Sequence, residues 1–265
     1  MRATHHVILA AGLVLVGLAP ALASAADGVL LVQTIASGTT KTTSQVQLEP
    51  NRIRTVVADG SGREQVVTFD GTRDVLFIVN MTSKSYTELT RADAAKMGGM
   101  MADAMAMMQE QLARMPPAQR KAMEEKMGPM MGSMAGSPAA GPQYKRVGSG
   151  QVGKWACERY DAFVNGAKTS EICTVQPQAL GFSVADFGVL AKMADFVRSM
   201  VPSMANQVMG LGTPDQGFSG LPVRTVTTIG GTTAIVELTE VRRQTFDDAS
   251  FLVPSGFTRQ PMMGQ

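Results

Sequence analysis

Between Gly28 and Leu89 turn residues cut the sequence into short β-prone stretches at near-even spacing, a rhythm that fits a meander of antiparallel strands. The stretches are Val29 to Ser37, Thr40 to Leu48, Arg52 to Ala58, Glu64 to Phe69, Val75 to Asn80 and Ser85 to Leu89. They are separated at Gly38, Pro50-Asn51, Asp59-Gly60, Asp70-Gly71 and Met81-Thr82, and they are rich in Val, Ile and Thr. Ile53, Thr55 and Val57 alternate with Arg52, Arg54 and Val56, which predicts a sheet with one partly wet face.

The period then changes. Thr90-Arg91-Ala92-Asp93 reads as a helix start in which a hydroxyl and a carboxylate satisfy the free amides of the first turn. Pro116-Pro117 closes that helix and opens a second, which Gly128-Pro129 stops, and Gly132 to Pro142 has the composition of a linker. Residues 90–142 therefore read as a helical insertion. Strand character returns at Tyr144, and Asn165-Gly166 marks a hairpin between Trp155 to Phe163 and Ala167 to Val175. Ser183-Val184-Ala185-Asp186 opens another helix, expected to reach about Val201, whose apolar residues Phe187, Leu190, Met193, Phe196 and Met200 cover more than one stripe. A last hairpin turns at Gly230-Gly231, setting Arg224 opposite Glu237, Val226 opposite Ile235 and Val223 opposite Leu238.

Arg2, the apolar run Val7 to Leu18 and the small residues Ala23-Ser24-Ala25 form a secretory leader, with cleavage expected after Ala25 and a single domain over residues 26–265. The expected destination is the periplasm, and no apolar run after the leader is long enough to span a bilayer. Both histidines, His5 and His6, fall inside the leader. A domain without histidine has no Ser-His-Asp or Cys-His machinery and no imidazole metal site, so an enzyme is not expected and no cofactor is called for. A net charge of +2, with no Lys/Arg run longer than two, offers no field for nucleic acid.

An oxidising compartment predicts a disulfide between Cys157 and Cys173, on the two arms of one hairpin. A three-residue loop of Val164, Asn165 and Gly166 would set these cysteines directly opposite each other, with Arg159 facing Glu171.

Twelve of the 20 methionines lie between Met97 and Met134. Met97, Met101, Met105, Met108, Leu112 and Met115 recur at three- and four-residue steps and share one helical face. Such a face is expected to pack on the sheet or to lid a cavity for a variable apolar ligand, because unbranched thioethers repack around different shapes. The alternative is a Cu(I) site built on Met105, Met107 and Met108, since soft ions prefer sulfur. A third reading is an envelope chaperone; Met115-Pro116-Pro117-Ala118-Gln119-Arg120 is similar to the start of small helical periplasmic stress chaperones.

Several motifs together resemble the LolA-like superfamily of outer-membrane lipoprotein carriers, and within it an uncharacterised bacterial periplasmic family. They are Phe69-Asp70-Gly71 with the strand Val75 to Asn80, Lys84-Ser85-Tyr86-Thr87-Glu88, Trp155-Ala156-Cys157-Glu158-Arg159-Tyr160, and the closing Phe251 to Phe257. The resemblance implies an α+β fold in which a curved antiparallel sheet, an incomplete β-barrel, wraps around helices or is capped by them. It also implies an apolar cavity. The expected function is that of a non-enzymatic periplasmic carrier for an apolar or lipid-like ligand, in transient contact with envelope membranes or proteins.

Overall fold

The computed structural model describes residues 27–58, 63–116, 119, 142–164, 166–200, 212, 217–229 and 231–261. The expected leader, most of the second insertion helix and nearly all of the linker lie outside these residues.

Six strands open the described chain: β1 (Asp27–Ser37), β2 (Thr40–Leu48), β3 (Arg52–Ala58), β4 (Glu64–Asp70), β5 (Val75–Asn80) and β6 (Ser85–Thr90). Helix α1 (Arg91–Arg114) follows, then β7 (Gln143–Val152), β8 (Trp155–Val164), β9 (Ala167–Val175) and α2 (Gly188–Met200). β10 (Leu221–Ile229), β11 (Thr232–Thr245) and the two-residue β12 (Thr258–Arg259) complete the sheet. Its order is β12-β6-β5-β4-β3-β2-β1-β11-β10-β9-β8-β7, antiparallel throughout except where β12 runs parallel to β6. β12 and β7 are the two ends, so the sheet does not close.

The turns explain the clean strand boundaries. The Asp70 carboxylate accepts the N–H groups of Thr72 and Arg73, and the Asn80 side-chain oxygen accepts those of Thr82 and Ser83. Side chains of this kind offer the backbone a local partner in place of the ladder, so each strand stops where the Asx turn begins.

Alternation along the strands gives the sheet two buried faces. Val29 and Leu31 of β1, Leu76 of β5, Leu89 of β6 and Val152 of β7 belong to one apolar cluster with Phe187, Val189, Leu190 and Phe196 from the α2 region. Residues from opposite ends of an unclosed sheet meet in one core only if the sheet curls around the helices. The reverse face is covered by the C-terminal segment, which places Phe246 and Phe251 on Leu30, and Val253 and Phe257 on Val66, Val75, Phe77 and Val79. The α+β architecture expected from the sequence is the one observed.

The register of the final hairpin is also as read, with Arg224 opposite Glu237 and Val226 opposite Ile235. The β8–β9 hairpin is different. Val164 pairs with Ala167, leaving a two-residue connection, and a bulge between Ala162 and Phe163 shifts the ladder so that Arg159 faces Cys173 and Asp161 faces Glu171. The expected Arg159–Glu171 pairing is therefore corrected. Two carboxylates placed directly opposite would repel. Lys168 relieves this, its Nζ lying 2.9 Å from Asp161 and 2.8 Å from Glu171. The disulfide is present, but it joins Cys157 to Cys173 diagonally rather than straight across, with Cα atoms 5.5 Å apart.

Candidate functional site

α1 carries the described part of the methionine segment, and its first two turns are firmly anchored. Thr90 caps it in a reciprocal arrangement: the Thr90 hydroxyl accepts the Asp93 N–H at 3.2 Å, and the Asp93 carboxylate accepts the Thr90 N–H at 3.0 Å. Arg91 pairs with Asp74 at 2.9 Å, and its guanidinium lies 5.7 Å from the ring centre of Phe196 on α2. Hydrogen bonding from Arg91 holds the Asp74 carboxyl below its usual range. Ala94 is fully buried.

One turn later Gly98 meets the C-terminal end of α2. A Cβ on Gly98 would stand 2.6 Å from the Ser199 carbonyl oxygen and 3.0 Å from that of Met200. The sequence alone suggests that Gly98-Gly99 merely weakens the helix. The structure assigns the two glycines different roles, because nothing lies within 4 Å of a Cβ on Gly99. Gly99→Ala should stabilise the protein by up to about 1 kcal/mol through helix propensity. Gly98→Ala should instead destabilise it by about 1 kcal/mol or more, since backbone cannot yield to a side chain as a side-chain tip can. Urea unfolding of the two variants reads the opposite signs directly.

Beyond Gly98 the helix is mostly exposed. Along the stripe expected from the sequence, Met97 and Met101 are 39% and 41% exposed, while Met108, Leu112 and Met115 are half-buried. The side chain of Met105 lies outside the described residues. Among the described residues the most exposed thioethers are elsewhere: Met100 at 61% and Met107 at 65%. At 100° per residue both lie roughly 160–180° around the helix from Gly98. Met107 stands three residues before Glu110, which pairs with Arg114, and Met100 stands between Lys96 and Asp103 at helical spacing. Sequence periodicity finds the apolar stripe but not this second side, because two methionines seven residues apart among charges make no recognisable face. Met107 and Met108, both named for a copper site, point about 100° apart.

α2 satisfies its expected need for contact on two sides. Val189, Leu190 and Phe196 are buried, Met193 and Met200 pack at the margin of the core, and α1 lies along the helix. Ser183 forms its capping box with Asp186 on a short 3-10 turn, Val184–Phe187, that leads into α2. Asp186 also pairs with Arg243 of β11 at 3.1 Å, which ties this turn to the sheet.

Between the adjoining ends of β3 and β4 and the β5–β6 turn lies an open depression of about 530 Å³, bordered by Val57, Arg63, Glu64, Gln65, Asn80, Thr82 and Ser83. Its mixed polar and apolar border, open to solvent, is unlike the enclosed apolar chamber that the resemblance implies.

The fold and site together define an α+β protein in which an open, curled antiparallel sheet enfolds one helix and carries a second, methionine-bearing helix on it. The chain belongs to the family of the domain of unknown function DUF4412, which matches residues 91–257. Among solved structures it is similar to an uncharacterised conserved protein from Thermus thermophilus. That likeness has 8% identity and a TM-score of 0.46, covering 90% of this chain and 92% of that one. It is also similar to a chain of the MucA/MucB complex of Pseudomonas aeruginosa, with 9% identity and a TM-score of 0.39 over 85% of this chain and 55% of that one. No curated protein matches the sequence.

Proposed function

We propose that this protein is a non-enzymatic, extracytoplasmic binding or carrier protein whose α1 stripe receives an apolar, lipid-like ligand. The observation that carries this reading is the stripe of Ala94, Met97, Met101, Met108, Leu112 and Met115, buried at its anchored end and about 40% exposed at Met97 and Met101. Thioether surface left in water is available to be covered, and each Å² covered yields about 25 cal/mol. Methionine suits a ligand of variable shape. The leader-like residues 1–25 and the Cys157–Cys173 disulfide favour an oxidising, extracytoplasmic setting, and no described helix is long and apolar enough to cross a membrane.

The test uses a fluorescent fatty acid as probe. Met97→Glu with Met101→Glu places two charges on the stripe and should weaken probe binding tenfold or more, equivalent to about 1.4 kcal/mol, while far-UV circular dichroism stays unchanged. Met101→Leu, Met105→Leu and Met108→Leu together keep apolar area and volume, so binding should hold within about twofold. Wild-type protein that ignores the probe but holds Cu(I), and loses that ion in the leucine variant, would replace the carrier reading with the copper reading.

A further inference from the structure

Met100 and Met107 are placed as chemistry sites rather than as packing. Both are more than 60% exposed, and helical geometry sets both roughly opposite Gly98, where α1 meets α2. Neither completes the core nor joins the apolar stripe. Met193 and Met200, by contrast, are half-buried against the core.

We propose that the outward side of α1 is an oxidant-accepting site, with Met100 and Met107, among the described methionines, the first to react with hypochlorous acid or a hydroperoxide. In the step, a sulfur lone pair attacks the oxidant's oxygen and the O–Cl or O–O bond breaks. The sulfur loses two electrons and becomes a sulfoxide. Chloride and a proton leave from hypochlorous acid, and water or an alcohol leaves from a hydroperoxide. Access selects the residues, because a thioether reacts as fast as oxidant can reach its sulfur. The fold tolerates the product, because the new S=O dipole at Met100 or Met107 enters water. At Met193 or Met200 the same dipole would enter the core margin without a partner, and that burial is costly. The modification is also reversible, since methionine sulfoxide reductases remove the oxygen. The outward side of α1 can therefore take up oxidant and be restored without loss of the helix.

The experiment titrates the purified full-length protein with hypochlorous acid below stoichiometry and locates each gain of about 16 Da by peptide mass spectrometry. Met100 and Met107 should be oxidised about fivefold faster than Met193 and Met200. Far-UV circular dichroism should be unchanged once Met100 and Met107 have each gained an oxygen, and a methionine sulfoxide reductase should return the original mass. Met100→Leu with Met107→Leu should remove about two oxygens from the fast phase. Met193 or Met200 reacting as early as Met100, a fast phase undiminished in the double variant, or helix loss on oxidation of Met100 and Met107 would overturn the proposal. None of these readouts depends on whether the protein binds an apolar ligand.

Discussion

Phe196→Ala should cost about 3–5 kcal/mol of folding stability, as expected for removing a fully buried aromatic ring. Phe196 has no exposed surface, and its ring centre lies 5.5 Å from that of Phe69 on β4, itself fully buried. It also receives the guanidinium of Arg91, the first residue of α1. One side chain thus joins the sheet, α2 and the root of α1. Deleting it leaves a cavity against a sheet that cannot collapse into the space without breaking its ladder, which places the cost at the upper end of the range. Phe196→Leu retains most of the volume and should cost about 1.5 kcal/mol or less. Urea unfolding measures both, and hydrogen exchange over residues 91–98 should quicken in the alanine variant because Arg91 has lost its platform. A cost below about 1 kcal/mol would mean that this ring is not the joint between helices and sheet.

The parts of this fold that could be read from sequence are those governed by neighbours in the chain. Asp70 and Asn80 end their strands by bonding amides two and three residues on, and Thr90 with Asp93 starts α1 by the same short-range logic. Periodicity likewise places Met97, Met101, Met108, Leu112 and Met115 on one stripe. What escapes the sequence depends on distant residues. The purpose of Gly98 is visible only once Ser199 and Met200 stand against it, a hundred residues later. The β8–β9 register escapes because the apparent charge match of Arg159 with Glu171 competes with a bulge that lets Lys168 serve two carboxylates. The closing segment reads as a motif from Phe251 to Phe257. Its position on the back of the sheet, with β12 laid parallel to β6, is set by apolar residues on β1, β4 and β5.

Reducing the Cys157–Cys173 disulfide should lower stability by roughly 3 kcal/mol in the chain-entropy account, the value for a loop of about this length. The two cysteines are 16 residues apart and both are buried, at 5% and 7% exposure. Two contributions are then separable. Reduction leaves both sulfurs in place and removes only the cross-link, so the shift in urea midpoint caused by reductant reports the constraint on the unfolded chain. Cys157→Ala with Cys173→Ala removes the sulfurs as well, and should cost more than reduction by the packing lost beside Val152, Trp155 and Val175 in the same cluster. The loosening should also be local. The diagonal bridge pins β9 to β8 past the bulge, and β9 leads through two 3-10 turns into α2. Hydrogen exchange should therefore accelerate over residues 167–175 and then α2 before it changes over 29–35, where β1 is held between β2 and β11. Two alkylatable thiols in the unfolded, non-reduced protein, or a midpoint indifferent to reductant, would show that the bridge does not hold this hairpin.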